Sequence, residues 1–130
     1  MTLRSLALLT AVLTALVVAV AGTARAAATV SPNPSIHFTP NPVHAGAFVR
    51  VHGSAGGCPV GDPVTILSRA FSHSHTFAGV PAVTTPVRAY GGYSKKVQIP
   101  PWRRPAVYRA TARCGGGNFG VVAKVHVLPE

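Results

Sequence analysis

The sequence predicts an all-β domain built from two packed antiparallel sheets, and three observations predict it. Apolar and polar residues alternate in short runs. Clusters of Gly, Pro, Asn and Ser separate those runs. No window beyond the N-terminal segment carries a helical period, and about seven short strands at such spacing are the mark of a sandwich or small barrel.

The N-terminal segment stands apart from this pattern. Arg4 supplies a positive start, residues 6–21 are uncharged and apolar, and Ala24-Arg25-Ala26 offers small residues for cleavage. That is the layout of a removable export signal, 1–26, and its sixteen-residue apolar run falls short of the about twenty needed to span a bilayer. Cleavage leaves 27–130, a length that suits one domain. No cysteine stands directly after the cleavage position to carry a lipid anchor and no second long apolar run appears, so a secreted domain without a membrane span is expected.

In the exported part, Ser31-Pro32-Asn33-Pro34 and Thr39-Pro40-Asn41-Pro42 flank a first edge strand near 35–39, because proline excludes a central one. Val49 and Val51 then share one face, opposite Phe48, Arg50 and His52. A loop over 53–61 carries Cys58, and Val64 and Ile66 alternate with Thr65 and Leu67 in a third strand. Residues 72–75 read as a polar connection, and 82–88 as a weak strand broken by Pro86. After the turn at 90–93, Tyr93, Lys95, Val97 and Ile99 fall on one side until Pro100-Pro101. Tyr108, Ala110, Ala112 and Cys114 face inward from the clearest strand, with Val107, Arg109, Thr111 and Arg113 outward. A glycine turn at 115–118 leads to a last strand with Phe119, Val121, Ala123, Val125 and Val127 inward and Lys124 and His126 outward. A one-residue slip would drive Arg109, Arg113 and Lys124 into the core, so register is strongly specified.

Cys58 and Cys114 are the two cysteines, both lie in the exported part, and a structural disulfide between them is expected in an oxidising compartment. Without Arg4 and Arg25 the chain keeps ten of its twelve Lys and Arg against Asp62 and Glu130, a formal charge of +8.

The ordered phrases Ser31-Pro32-Asn33-Pro34, Ala45-Gly46, the run from Gly57-Cys58-Pro59 to Pro63-Val64, the run from Gly92-Tyr93 to Ile99-Pro100, and Tyr108-Arg109-Ala110-Thr111-Ala112-Arg113-Cys114 resemble the small secreted immunoglobulin-like domains of actinobacteria. The resemblance implies an immunoglobulin-like sandwich that serves as an adhesive module or spacer. A more distant likeness, in the short Ala-Thr-Val-Ser-Pro start, is to the enediyne chromoprotein apoproteins, and it implies a carrier with an apolar ligand cleft. That family is acidic with two disulfides, whereas this chain is basic with two cysteines.

Two acids in the whole chain exclude paired-carboxylate catalysis, and Asp62 beside Pro63 reads as a turn residue, so no enzyme and no cofactor are expected. His73 and His75 would share a face if extended and form a weak candidate for copper or zinc, for which solvated loop histidines are the preferred alternative. Trp102, Arg103 and Arg104 combine a stacking ring with two guanidinium groups, and with Arg109, Arg113 and Lys124 they form the candidate contact for a polyanion. For Trp102 itself the preferred expectation is packing over the end of the sandwich. No recognition helix, zinc finger or cationic amphipathic helix points to dedicated nucleic-acid or membrane binding. The expected partner is therefore an anionic polymer of the cell envelope, attracted by the positive field.

Overall fold

A computed structural model of the chain describes Gly22 and residues 33–130. Apart from Gly22, the expected export signal lies outside the described residues, as do Ser31 and Pro32. Among the described residues the structure is all-β: β1 (His37–Thr39), β2 (Val43–His44), β3 (Phe48–Ser54), β4 (Pro63–Ser68), β5 (Thr76–Phe77), β6 (Val80–Pro86), β7 (Gly92–Gln98), β8 (Ala106–Cys114), β9 (Gly117–Asn118) and β10 (Ala123–Leu128). None of the described residues forms a helix long and apolar enough to cross a membrane.

The strands make two sheets. One has the order β1-β3-β7, and the other, curled into a half-barrel, runs β2-β10-β8-β4-β6-β5 with β9 added to β8. Every ladder is antiparallel except β10 with β2, where Val127 and Leu128 pair in parallel with Val43 and His44. The all-antiparallel expectation is corrected there. A second tie closes the same corner, because the Asn41 side chain donates to Lys124 O at 2.9 Å and accepts from His126 N at 2.9 Å.

Both sheets contribute to one hydrophobic cluster. Val49 and Val51 of β3 are buried, as are Val64 and Ile66 of β4, Ala110 and Ala112 of β8, and Val125 and Val127 of β10. The period of two therefore separates a dry face from a wetter one along β3, β8 and β10, whereas in β4 Leu67, of the opposite parity, is buried as well. Phe71, fully buried in the connection after β4, meets Phe38 of β1 with ring centroids 6.3 Å apart. Tyr93 of β7 meets Phe119 at 6.2 Å. Its hydroxyl donates to Ser35 O at 2.7 Å, and burial raises its pKa far above the usual phenol range.

Three local expectations need correction. Lys95, on the same parity as Tyr93 and Val97, is exposed, because β7 is an edge strand and its long stem can lead the ammonium out of the layer. The final strand starts at Ala123 rather than at residue 119. Asn118 Oδ1 accepts from Gly120 N at 2.8 Å and Gly120 takes a φ of 73°, a local turn that competes with the ladder. Trp102 does not cover the end of the core and is 75% exposed.

Cys58 and Cys114 are bonded, with Cα atoms 6.0 Å apart, and join the loop after β3 to the end of β8. Replacing both by alanine is expected to lower unfolding free energy by up to about 4 kcal/mol, read by urea denaturation. At the same end of β3, a Cβ on Gly53 would overlap Ser35 O, whereas one on Gly57 in the loop that follows would meet open space. Gly53→Ala is accordingly expected to cost about 1–3 kcal/mol by the same measurement, as other forced overpacking does. Gly57→Ala should change stability by less than about 0.5 kcal/mol.

Candidate functional site

The chain's only carboxylate side chains are those of Asp62 and Glu130, so its cations have almost no internal counter-charge. Asp62 sits in a turn, its amide bonded to Pro59 O and its carbonyl to the amide of Val87. The basic side chains must therefore be satisfied by neutral acceptors, by solvent or by a partner.

On the outer face of the half-barrel, alternation along β8 presents Val107, Arg109, Thr111 and Arg113. The register sets Lys124 of β10 directly opposite Arg109, with both residues exposed. Like charges facing each other across an antiparallel ladder are destabilising, typically by a few tenths to about 1 kcal/mol. Arg113 lies four residues farther along the same face, about 13 Å away at the usual rise of a strand. Its Nη2 donates to Gly116 O at 3.1 Å, and its guanidinium carbon stands 4.9 Å from the Phe77 ring centroid. The Nε of Arg113 is buried with no acceptor among the described residues.

The Trp102-Arg103-Arg104 segment divides. Trp102 and Arg104 are exposed, and the Arg104 carbonyl accepts from Tyr108 Oη at 2.6 Å. Arg103 is half-buried and spends one Nη2 bond of 2.7 Å on Phe71 O, which ties this turn to the connection after β4. Its role is in part structural, a function that the sequence pattern did not signal.

A second cationic face went unrecognised in the sequence. Register opposes Arg50 of β3 to Lys96 of β7 on the outer side of the three-stranded sheet. Arg50 Nη1 donates to Ser94 Oγ at 2.9 Å, and Lys96 Nζ lies 4.7 Å from the Phe48 ring centroid. Beside them His37 and His52 stack across β1 and β3, with centroids 5.6 Å apart and planes at 30°. Alternation did mark Arg50 and His52 as outward residues, but only strand pairing reveals their neighbours.

His73 and His75 lie in an exposed turn rather than an extended segment, so the condition for a shared face is not met. Among the described residues, the grouping of His, Cys, Asp or Glu close enough for a metal is Cys58, Asp62 and Cys114. Two of its three donors are consumed by the disulfide, which leaves no thiolate for an ion.

No family model matches the chain, and no curated protein does. Among solved structures it is similar to Pseudomonas fluorescens alkylpurine DNA glycosylase AlkC bound to DNA containing an abasic site analog. The identity is 18% and the TM-score 0.42, over 73% of this chain and 30% of that one. At that score the likeness transfers neither fold nor function.

The His52 pKa is lowered by burial first and then by the neighbouring His37 and Arg50. A histidine that resists protonation in the folded state contributes stability above its unfolded pKa of about 6.5 and loses it as pH falls through the folded value. Unfolding free energy is therefore expected to drop on acidification below that point. His52→Gln should flatten this part of the profile, measured by urea denaturation between about pH 7 and pH 5.

Proposed function

We propose that this chain is a secreted, non-enzymatic immunoglobulin-like module that binds an anionic polymer of the cell envelope. One observation carries the reading: Arg109 and Lys124 oppose each other in the open on the half-barrel, with Arg113 on the same strand face. Cations held in fixed positions on a ladder suit a polymer with repeated negative charge, which would also relieve the repulsion between Arg109 and Lys124. Arg104 and Trp102 supply a further cation and an exposed ring at the start of the same strand. The immunoglobulin-like reading rests on two sheets sharing one core, one disulfide and the ordered turn-and-strand phrases of the sequence. Scarcity of acids supports a binding role over catalysis.

A second reading, a small-molecule carrier, draws on one feature of the same face. A groove of about 350 Å³ has Leu67, Val80 and Val107 among its apolar walls and Arg69 and Arg109 at its sides. Mass spectrometry of protein recovered from its native medium separates the readings, since a carrier would retain a small molecule of fixed mass.

The polymer reading predicts retention on purified cell wall that is strong at about 50 mM salt and largely lost at about 500 mM. Arg109→Gln with Lys124→Gln should elute at distinctly lower salt than wild type. Release that is independent of salt, or a double variant that elutes with wild type, would contradict the reading.

A further inference from the structure

A different part of the half-barrel has the chemistry to read the polymer rather than merely attract it. The hairpin of β5 and β6 bounds a groove of about 470 Å³, whose lining includes Thr65, His75, Phe77, Val83, Thr84 and Lys95. That volume lies within the roughly 300–1,000 Å³ typical of ligand sites. The lining carries no carboxylate. Instead it offers a ring that is 42% exposed, an ammonium, an imidazole and hydroxyl groups.

Each group has a defined capacity. Thr65 Oγ1 and Thr84 Oγ1 lie 3.3 Å apart, so one hydroxyl hydrogen is spent between them and the other remains to be donated, with lone pairs to spare. Strand register sets Arg113 beside Thr65, and Thr65 beside Thr84, in one row across three strands. Arg113 also packs against the Phe77 ring, and its buried Nε faces no acceptor among the described residues. Lys95 thus lines the cavity itself, and Arg113 stands behind two of its walls, Phe77 and Thr65. Ala78, the neighbour of Phe77 in the two-residue hairpin loop, holds a φ of 50°. With Gly79 at 78°, both loop residues take the positive φ that a tight hairpin requires, and the turn fixes Phe77 opposite Val80.

We propose that this groove is a subsite for a hydroxyl-rich anionic unit, a polyol or sugar that bears phosphate or carboxylate. The proposal rests on the polymer reading, in which Arg109 and Lys124 hold the chain by charge while the groove recognises a repeat. The threonine pair and His75 hydrogen-bond the hydroxyls, Phe77 covers the carbon skeleton, and Lys95 meets the negative group, with Arg113 behind Phe77 adding to the positive field. Simple polyanions lack the hydroxyls and skeleton, so they gain only the charge term.

The test is titration calorimetry with oligo(glycerol phosphate), oligo(glucuronate) and linear polyphosphate, matched in total charge at one salt concentration. At least one hydroxyl-bearing oligomer should bind about tenfold more tightly than polyphosphate, and which one does so assigns the negative group as phosphate or carboxylate. Phe77→Ala and Thr84→Val should each erase most of that preference while leaving polyphosphate affinity in place. Lys95→Gln should weaken the preferred oligomer more than it weakens polyphosphate. Equal affinity for all three oligomers, or a preference that survives Phe77→Ala and Thr84→Val, overturns the groove and leaves the polymer reading standing. Absence of binding by every oligomer overturns the polymer reading. Titration with glycerol 3-phosphate and with glucuronate, followed by NMR, then decides the groove alone, and unmoved amide signals at Thr84 and Lys95 in both overturn it.

Discussion

The register of β8 is the constraint on which the rest of the molecule depends. This strand is paired on one side with β4 and on the other with β10, so its alternation is imposed on three strands at once. Ala110 and Ala112 go into the shared core, and Arg109 and Arg113 go out. A shift of one residue would bury two guanidinium groups with no acid to pair them, at a cost far beyond the marginal stability of a domain this small. The disulfide at Cys114 fastens the end of the same strand to the loop after β3. Core, charge display and crosslink are therefore consequences of one pairing pattern.

Charge is the second determinant, and it acts by what it lacks. With two carboxylate side chains in the chain, outward cations come to oppose one another: Arg109 faces Lys124 on one sheet and Arg50 faces Lys96 on the other. Some of this charge is absorbed internally by neutral acceptors and rings, as with Arg50 on Ser94, Lys96 over Phe48 and Arg103 on Phe71 O. The pair of Arg109 and Lys124 has the clearest geometry for an external anion, since both members are exposed and aligned along regular strands.

What could be read from the sequence was whatever alternation controls. Parity sends Ala110 with Ala112 and Val125 with Val127 inward and puts Val49 with Val51, and Val64 with Ile66, on a common face; all eight are buried, and the cysteine pair follows from number and compartment. Phe71 was not legible, because the stretch around it has no period and its burial comes from the connection folding back toward β1. Trp102 misled in the opposite direction, since a single large aromatic in a loop carries no parity to say whether it packs. The parallel contact of β2 with β10 joins residues more than eighty positions apart. The β5–β6 groove draws on three separate stretches, 65, 75–84 and 95, which strand order alone brings together. Single side chains such as Lys95 and Thr84 had no feature in sequence to distinguish them from ordinary surface residues.

The most direct test of this account is NMR mapping of the labelled protein during titration with a purified anionic envelope polymer at low salt. The account predicts that the amide signals of Arg109, Arg113 and Lys124 move first and furthest, while those of the buried Val49 and Val51 stay in place. Signals that shift evenly over both sheets, or a half-barrel face that stays silent at saturation, would contradict it.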